Sequence, residues 1–174
     1  MTMPIKSRVF LALGGNLGEP RQAFAAAARK LQHHPQVKLV AAAPLYRTPP
    51  VGGPADQPDY LNTVIELETD LSPQQLLAFC RKIEDAAGRT RSVHWGARTL
   101  DLDILFYAQH VITTPELTLP HPRLQQRHFV LLPLADLAAD FIHPQLQASI
   151  AELLAQLPAA EGITRLENDW IDND

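Results

Sequence analysis

Apolar residues along the chain fall into short blocks, some with the alternation of a strand and some with the wider spacing of a helix. "RVFLAL" (8–13) reads as a short buried strand, followed by a tight turn at "GGNLG" (14–18). "EPRQAFAAAARKLQHH" (19–34) predicts an Ala-rich helix with Pro20 near its start. "VKLVAAAPLYRT" (37–48) predicts a strand, broken or bulged near Pro44. "PPVGGPADQPDY" (49–60) is a Pro/Gly loop. "YLNTVIELET" (60–69) alternates, with Tyr60, Asn62, Val64, Glu66 and Glu68 on one face and Leu61, Thr63, Ile65, Leu67 and Thr69 on the other. "SPQQLLAFCRKIEDAAG" (72–88) has the form of a capped helix. Ser72 is its N-cap, Pro73 its first residue, Gln75 the capping-box partner and Gly88 the stop. "RTRSVHWGAR" (89–98) is a basic loop and "TLDLDILFY" (99–107) a strand. A turn-rich stretch (110–129) precedes two helices, 130–140 and 147–157. The acidic tail after Pro158 is expected to be loosely held.

The order is strand–helix–strand–strand–helix–strand, then helices. This is the split β-α-β arrangement of an α+β, ferredoxin-like fold, in which an antiparallel-containing sheet carries packed helices. No internal repeat or low-complexity linker divides the chain. One domain over residues 1–160 is expected, followed by an acidic tail, 161–174.

Charge sharpens the picture. The chain of 174 residues has a formal net charge of −4, which argues against a nucleic-acid partner. Residues 1–128 hold 14 Lys and Arg against 11 Asp and Glu; residues 129–174 hold one Arg against eight acids. An anion site is therefore expected in the first 128 residues. The single cysteine, Cys80, excludes an internal disulfide and suits a reducing cytoplasm, and a small buried hydrophobe is its expected role. No apolar run is long enough for a membrane span or a secretory signal, so a cytoplasmic protein is expected.

Candidate chemistry centres on "HWGARTLDLDILFY" (94–107). Asp101 and Asp103, two apart in a strand, project to one face, while Leu100, Leu102, Ile104 and Phe106 are expected to point the other way. Adjacent carboxylates repel unless a cation joins them. Hard oxygen ligands on a rigid strand suit Mg²⁺. A bare D-x-D is more often a solvated strand face. Here Arg81, Lys82, Arg89, Arg91 and Arg98 precede it, and guanidinium groups match phosphate oxygens in paired hydrogen bonds. Metal-assisted binding of a nucleotide triphosphate follows. Long Pro/Gly loops beside such a site are candidate lids. The sequence has no P-loop, dinucleotide fingerprint, zinc cluster or nucleophile elbow.

"HWGARTLDLDIL", with "YRTPP", "DQPDYLN", "GR-x-R", "LPHPRL" and "RHFVLLPL" in that order, resembles the 6-hydroxymethyl-7,8-dihydropterin pyrophosphokinase family of folate biosynthesis, over about residues 8–157. The resemblance implies a three-layer α/β/α form of the ferredoxin-like fold, with helices on both faces of the sheet. It implies an ATP-dependent diphosphotransferase that moves pyrophosphate from ATP to the pterin hydroxymethyl oxygen and releases AMP. Asp101 and Asp103 match the ligands of two Mg²⁺ ions. Arg89, Arg91 and Arg98 match phosphate-contacting arginines, with Arg89 and Arg98 counted as catalytic beside the aspartates. Glu84, Ile104, Thr118, His121 and Arg127 match nucleotide-side positions. Thr48, Pro49, Val51, Tyr60, Asn62, Trp95 and Phe129 match the pterin pocket, where Trp95 and Phe129 would sandwich the ring. The implied partners are ATP and the pterin, with no membrane, and a monomer is expected. His94 departs from the family's usual Arg or Lys, Ala97 from Pro and Gly15 from Ser, but none of these is a metal ligand. Two rival readings are a non-catalytic pterin- or nucleotide-binding paralogue and another Mg²⁺-dependent nucleotide transferase.

Overall fold

The computed structural model describes residues 6–49, 58–88, 99–166 and 168–171. Most of the Pro/Gly loop and the basic loop 89–98 lie outside them. Strand β1 (Ser7–Gly15) runs further than its apolar block predicts. Gly14 and Gly15 stay in the ladder, paired with Asn62 and Leu61, and the turn follows at Gly18, whose φ is +64°. Helix α1 (Pro20–His33) begins on its proline. The segment 37–48 forms two strands, β2 (Val37–Ala42) and β3 (Tyr46–Thr48), both antiparallel to β4 (Tyr60–Thr69). Pro44 has no N–H for a ladder, so the break falls around it.

Helix α2 (Pro73–Ala86) opens with the expected capping box. The Gln75 N–H donates to Ser72 Oγ at 3.1 Å and the Ser72 N–H to Gln75 Oε1 at 2.9 Å. Just past its end Gly88 takes φ +83°, the left-handed stop that the sequence predicts. Strand β5 (Asp101–Tyr107) pairs antiparallel with β1. A small hairpin of β6 (Ile112–Thr113) and β7 (Thr118–Leu119), helices α3 (His128–Ala138) and α4 (Ile150–Ala155), and a final strand β8 (Thr164–Arg165) complete the chain.

The main sheet runs β5-β1-β4-β3-β8, with β2 sharing β4's edge with β3. Strand β4 separates β1 from β2 and β3, and β1 separates β4 from β5, which is the split β-α-β topology. Helices α1 and α2 cover one face, where Phe24, Leu31, Leu76 and Cys80 pack with Leu11, Ile65 and Leu102. Helices α3 and α4 cover the other, where Val130, Leu131, Leu134 and Ile150 pack with Phe10, Val64 and Leu105. The α+β, ferredoxin-like class and the three layers are those expected.

Two expectations are corrected. Phe106 does not share the face of Leu102 and Ile104. The β1–β5 register shifts, pairing Leu11 with Ile104 but Phe10 with Phe106, so Leu105 is an extra residue in a bulge. Phe106 therefore turns toward α3, its ring 4.8 Å from that of Phe141. The described part of the tail is not loosely held either. Strand β8 adds to the sheet, and Trp170 is 2% exposed with its indole N–H donating to the Ala43 carbonyl at 2.8 Å.

Candidate active site

The alternation of β5 aims Asp101 and Asp103 at the α3 face, while Leu102 and Ile104 enter the opposite core. Register then fixes their neighbours. Asp101 lies opposite Gly14, which lies opposite Asn62; Asp103 lies opposite Ala12, which lies opposite Val64. Paired residues in a sheet share a face, so the two smallest side chains sit between the carboxylates and the amide. Neighbouring strands are about 4.8 Å apart, which puts the Asp101 and Asn62 backbones roughly 10 Å apart. A cavity of about 640 Å³ stands on this floor.

The floor has a fixed polar end. Asn62 is buried, and its Nδ2 donates to Thr48 Oγ1 at 2.8 Å. Thr48 pairs with Tyr60 across β3 and β4, and Pro49 follows at the rim. A methyl group on Gly14 would place its carbon 3.0 Å from Asn62 Oδ1, so close approach is what requires glycine there.

The far wall comes from the segment after β7. Its backbone is tied to β5 by the His121 N–H donating to the Leu105 carbonyl at 3.0 Å. His121, Arg123, Gln126, Arg127 and Phe129 line this wall. Two of these are arginines, Arg123 and Arg127, both before residue 129, which places the positive field where the charge distribution predicts it. The Arg127 guanidinium sits 5.6 Å over the Phe129 ring. Burial lowers the His121 pKa below its ordinary value; Asp103 opposes this, and Arg127 and Arg123 reinforce it. The ring is therefore neutral at pH 7. Its Nδ1 accepts the Arg123 N–H at 3.3 Å, which leaves Nε2 as the protonated nitrogen and a donor. Burial also lowers the Arg127 pKa, again against Asp103, though not enough to discharge a guanidinium.

Thr48, Pro49, Tyr60, Asn62, Asp101, Asp103, His121, Arg127 and Phe129 thus share one cavity. Val51, Arg89, Arg91, Trp95 and Arg98 lie outside the described residues. Three candidates do not line the cavity. Ile104 is buried in the α1/α2 core. Thr118 is exposed on β7, paired with Thr113. Glu84 is 3% exposed, and its carboxylate accepts the Leu102 N–H at 2.7 Å, between the two aspartates. That bond joins α2 to β5 where the acids project. Cys80 is fully buried, and burial, then Glu84 and Asp103, push its thiol up to about 12, so it is inert packing. Sequence reasoning misses Arg123 and Gln126. The arginine stands inside "LPHPRL", but only the tertiary turn aims it at the cavity.

The sequence model of the 7,8-dihydro-6-hydroxymethylpterin-pyrophosphokinase family matches residues 10–139. A 2-amino-4-hydroxy-6-hydroxymethyldihydropteridine pyrophosphokinase of Pseudomonas aeruginosa is 48% identical over 159 residues, covering 91% of this chain and 96% of that protein. Its counterpart from Haemophilus influenzae is 42% identical over 147 residues, covering 84% and 91%. Among solved structures, a triple mutant of Plasmodium falciparum HPPK-DHPS superposes with a TM-score of 0.70 at 14% identity, covering 90% of this chain and 44% of that one. At that identity the likeness is one of fold.

Proposed function

This chain belongs to the 7,8-dihydro-6-hydroxymethylpterin-pyrophosphokinase family, and on that premise we propose that its cavity passes pyrophosphate from ATP to the hydroxymethyl oxygen of 6-hydroxymethyl-7,8-dihydropterin. The products are the pterin diphosphate and AMP, a step of folate biosynthesis. The observation that carries this reading is the cross-sheet row from Asp101 through Gly14 to Asn62. It sets a pair of carboxylates and a buried amide at opposite ends of one floor, with cationic side chains over the carboxylate end.

The donors fit two Mg²⁺ ions. Asp101 and Asp103 offer only oxygen, one half-buried and one exposed, on adjacent same-face positions. Among the described residues no group of three or more His, Cys, Asp or Glu forms a metal cage. That suits an ion whose shell is finished by water and phosphate oxygens. When bound, Mg²⁺ would neutralise phosphate charge and lower the pKa of the hydroxyl.

The chain's own residues do the rest. Asn62, held by Thr48, reads the amide-like edge of the pterin, and Phe129 supplies one stacking face. By the motif match Trp95 supplies the other, and Val51 and Tyr60 are further pterin contacts. The hydroxyl oxygen then bonds to the β-phosphorus in line as the bond from that phosphorus to the α–β bridging oxygen breaks. AMP leaves with that oxygen, and the hydroxyl proton is given up to solvent. Arg127 and the neutral His121 donate to phosphate oxygens, joined by Arg89, Arg91 and Arg98 from the motif match. Glu84 keeps β5, and so both aspartates, in place. The proposed working unit is a monomer. No described helix is long and apolar enough to cross a membrane, and the buried lone thiol is compatible with work in the cytoplasm.

The test is AMP release from ATP and Mg²⁺, with and without the pterin. Asp101→Asn and Asp103→Asn should each lower turnover on the order of a thousandfold with unchanged melting curves. Chelation with EDTA should abolish turnover, and added Mg²⁺ should restore it. Pterin-independent AMP release, or full turnover in either variant, would refute the assignment.

A further inference from the structure

We infer that the described C-terminal residues 158–166 and 168–170 form a strap that positions the pterin-side wall of the cavity, with Gly162 and Trp170 as positioning residues for pterin binding. The inference rests on the pyrophosphokinase reading above. The segment lies beyond the matched span, residues 10–139.

Strand β3 needs external support. It is three residues long, follows the break at Pro44, and leads straight into the Pro/Gly loop. One edge pairs with β4. The other is taken by β8, with Tyr46 opposite Arg165 and Arg47 opposite Thr164. The strap continues this pairing on both sides of Pro44. The Leu166 N–H donates to the Leu45 carbonyl at 2.7 Å, and the Trp170 indole to the Ala43 carbonyl at 2.8 Å. The indole lies edge-on to Phe24 at 6.1 Å, which locks the end of the strap into the α1 layer.

The strap also reaches the rim. Gly162 takes φ +73° and faces Pro49, where an added Cβ would stand at ordinary van der Waals distance, 3.4 Å from Pro49 Cγ. Where the strap begins, the Pro158 carbonyl is 2.6 Å from the His128 ring nitrogen Nε2. His128 directly precedes Phe129. The strap therefore braces Thr48 and Pro49 from one side and the start of α3 from another. These are the proposed pterin contacts. None of these bonds involves Asp101, Asp103, His121 or Arg127. The geometry thus makes a discriminating prediction: loosening the strap weakens pterin binding and spares ATP.

Two variants test it. Thr164→Pro removes an N–H from an exposed ladder position and leaves the core untouched, and Trp170→Ala releases the far end. Each should raise the pterin KM, and the pterin Kd measured by calorimetry, about tenfold, while the KM for ATP stays within about twofold and kcat at saturating pterin within about threefold. Trp170→Phe, which keeps the ring in the α1 layer, should recover most of the loss. Equal pterin affinity in Thr164→Pro and wild type, or equal losses for both substrates, would overturn the strap. If Trp170→Ala fails to fold, Thr164→Pro decides alone. If the wild type shows no pterin-dependent AMP release, the reading beneath fails and the strap's role falls with it.

Discussion

At Gly14 a single absent methyl group keeps the floor of the site open. Its β-carbon would lie 3.0 Å from Asn62 Oδ1, and Asn62 is held by one bond to Thr48. Gly14→Ala should push the amide off that bond and raise the pterin Kd roughly tenfold, with little change for an ATP analogue. Calorimetric titration with each ligand measures both arms. Equal affinities would mean that Asn62 can shift without loss. His121 illustrates a different residue-scale point. A histidine in a field of arginines and a carboxylate could be charged or neutral; burial and the Arg123 N–H on Nδ1 decide for neutral.

Among the elements, β5 carries the chemistry and α2 holds it. The Leu102 N–H points away from the ladder to Glu84, whose carboxylate is buried in the α2 layer. Glu84→Ala would leave that N–H buried without an acceptor, at a cost of about 2 kcal/mol. It would also free the backbone between the two aspartates. Glu84→Gln keeps an acceptor and should retain most of the stability and turnover. Urea melts and AMP-release rates on the two variants check this. Similar losses in both would show that the charge matters more than the bond. The bulge at Leu105 belongs to this scale too. It puts Leu105 and Phe106 on the α3 face together, so the strand feeds both cores within four residues, Ile104 to Tyr107.

For the whole molecule, His143 links the α3–α4 connection to stability. It is 3% exposed, and its Nδ1 accepts the N–H groups of Gln145 at 3.1 Å and Leu146 at 3.0 Å. Its ring stands edge-on to Phe106 at 5.4 Å. Both bonds require an unprotonated Nδ1, and burial lowers the pKa below the ordinary 6.5. The unfolded chain then binds more protons below that value, so stability is full above it and falls as the pH drops through it toward the folded value. Wild type should therefore lose more unfolding free energy than His143→Gln between pH 7.5 and pH 5. Denaturant melts at both pH values give the difference; parallel losses would exclude His143 as the source.

Local signals made much of this chain legible. The capping box at Ser72, the stop at Gly88, the alternation in β4 and the D-x-D on β5 each depend on neighbours a few residues away, so the sequence alone carries them. Element order likewise yields the split β-α-β topology, and the motif string yields the family. What stayed hidden depends on partners distant in sequence. Asp101 opposite Gly14 opposite Asn62 is a matter of register across three strands. A bulge inside the uninterrupted apolar run 104–107 leaves no break in the pattern to mark it. Glu84 looks like any helix glutamate until Leu102 is brought to it. The acidic tail shows no strong strand pattern, and two residues of β8 hold only because β3 offers an open edge and Ala43 a carbonyl for Trp170. Sequence decides which groups can act. Tertiary structure decides which of them meet, because a contact between residues 43 and 170 has no local trace.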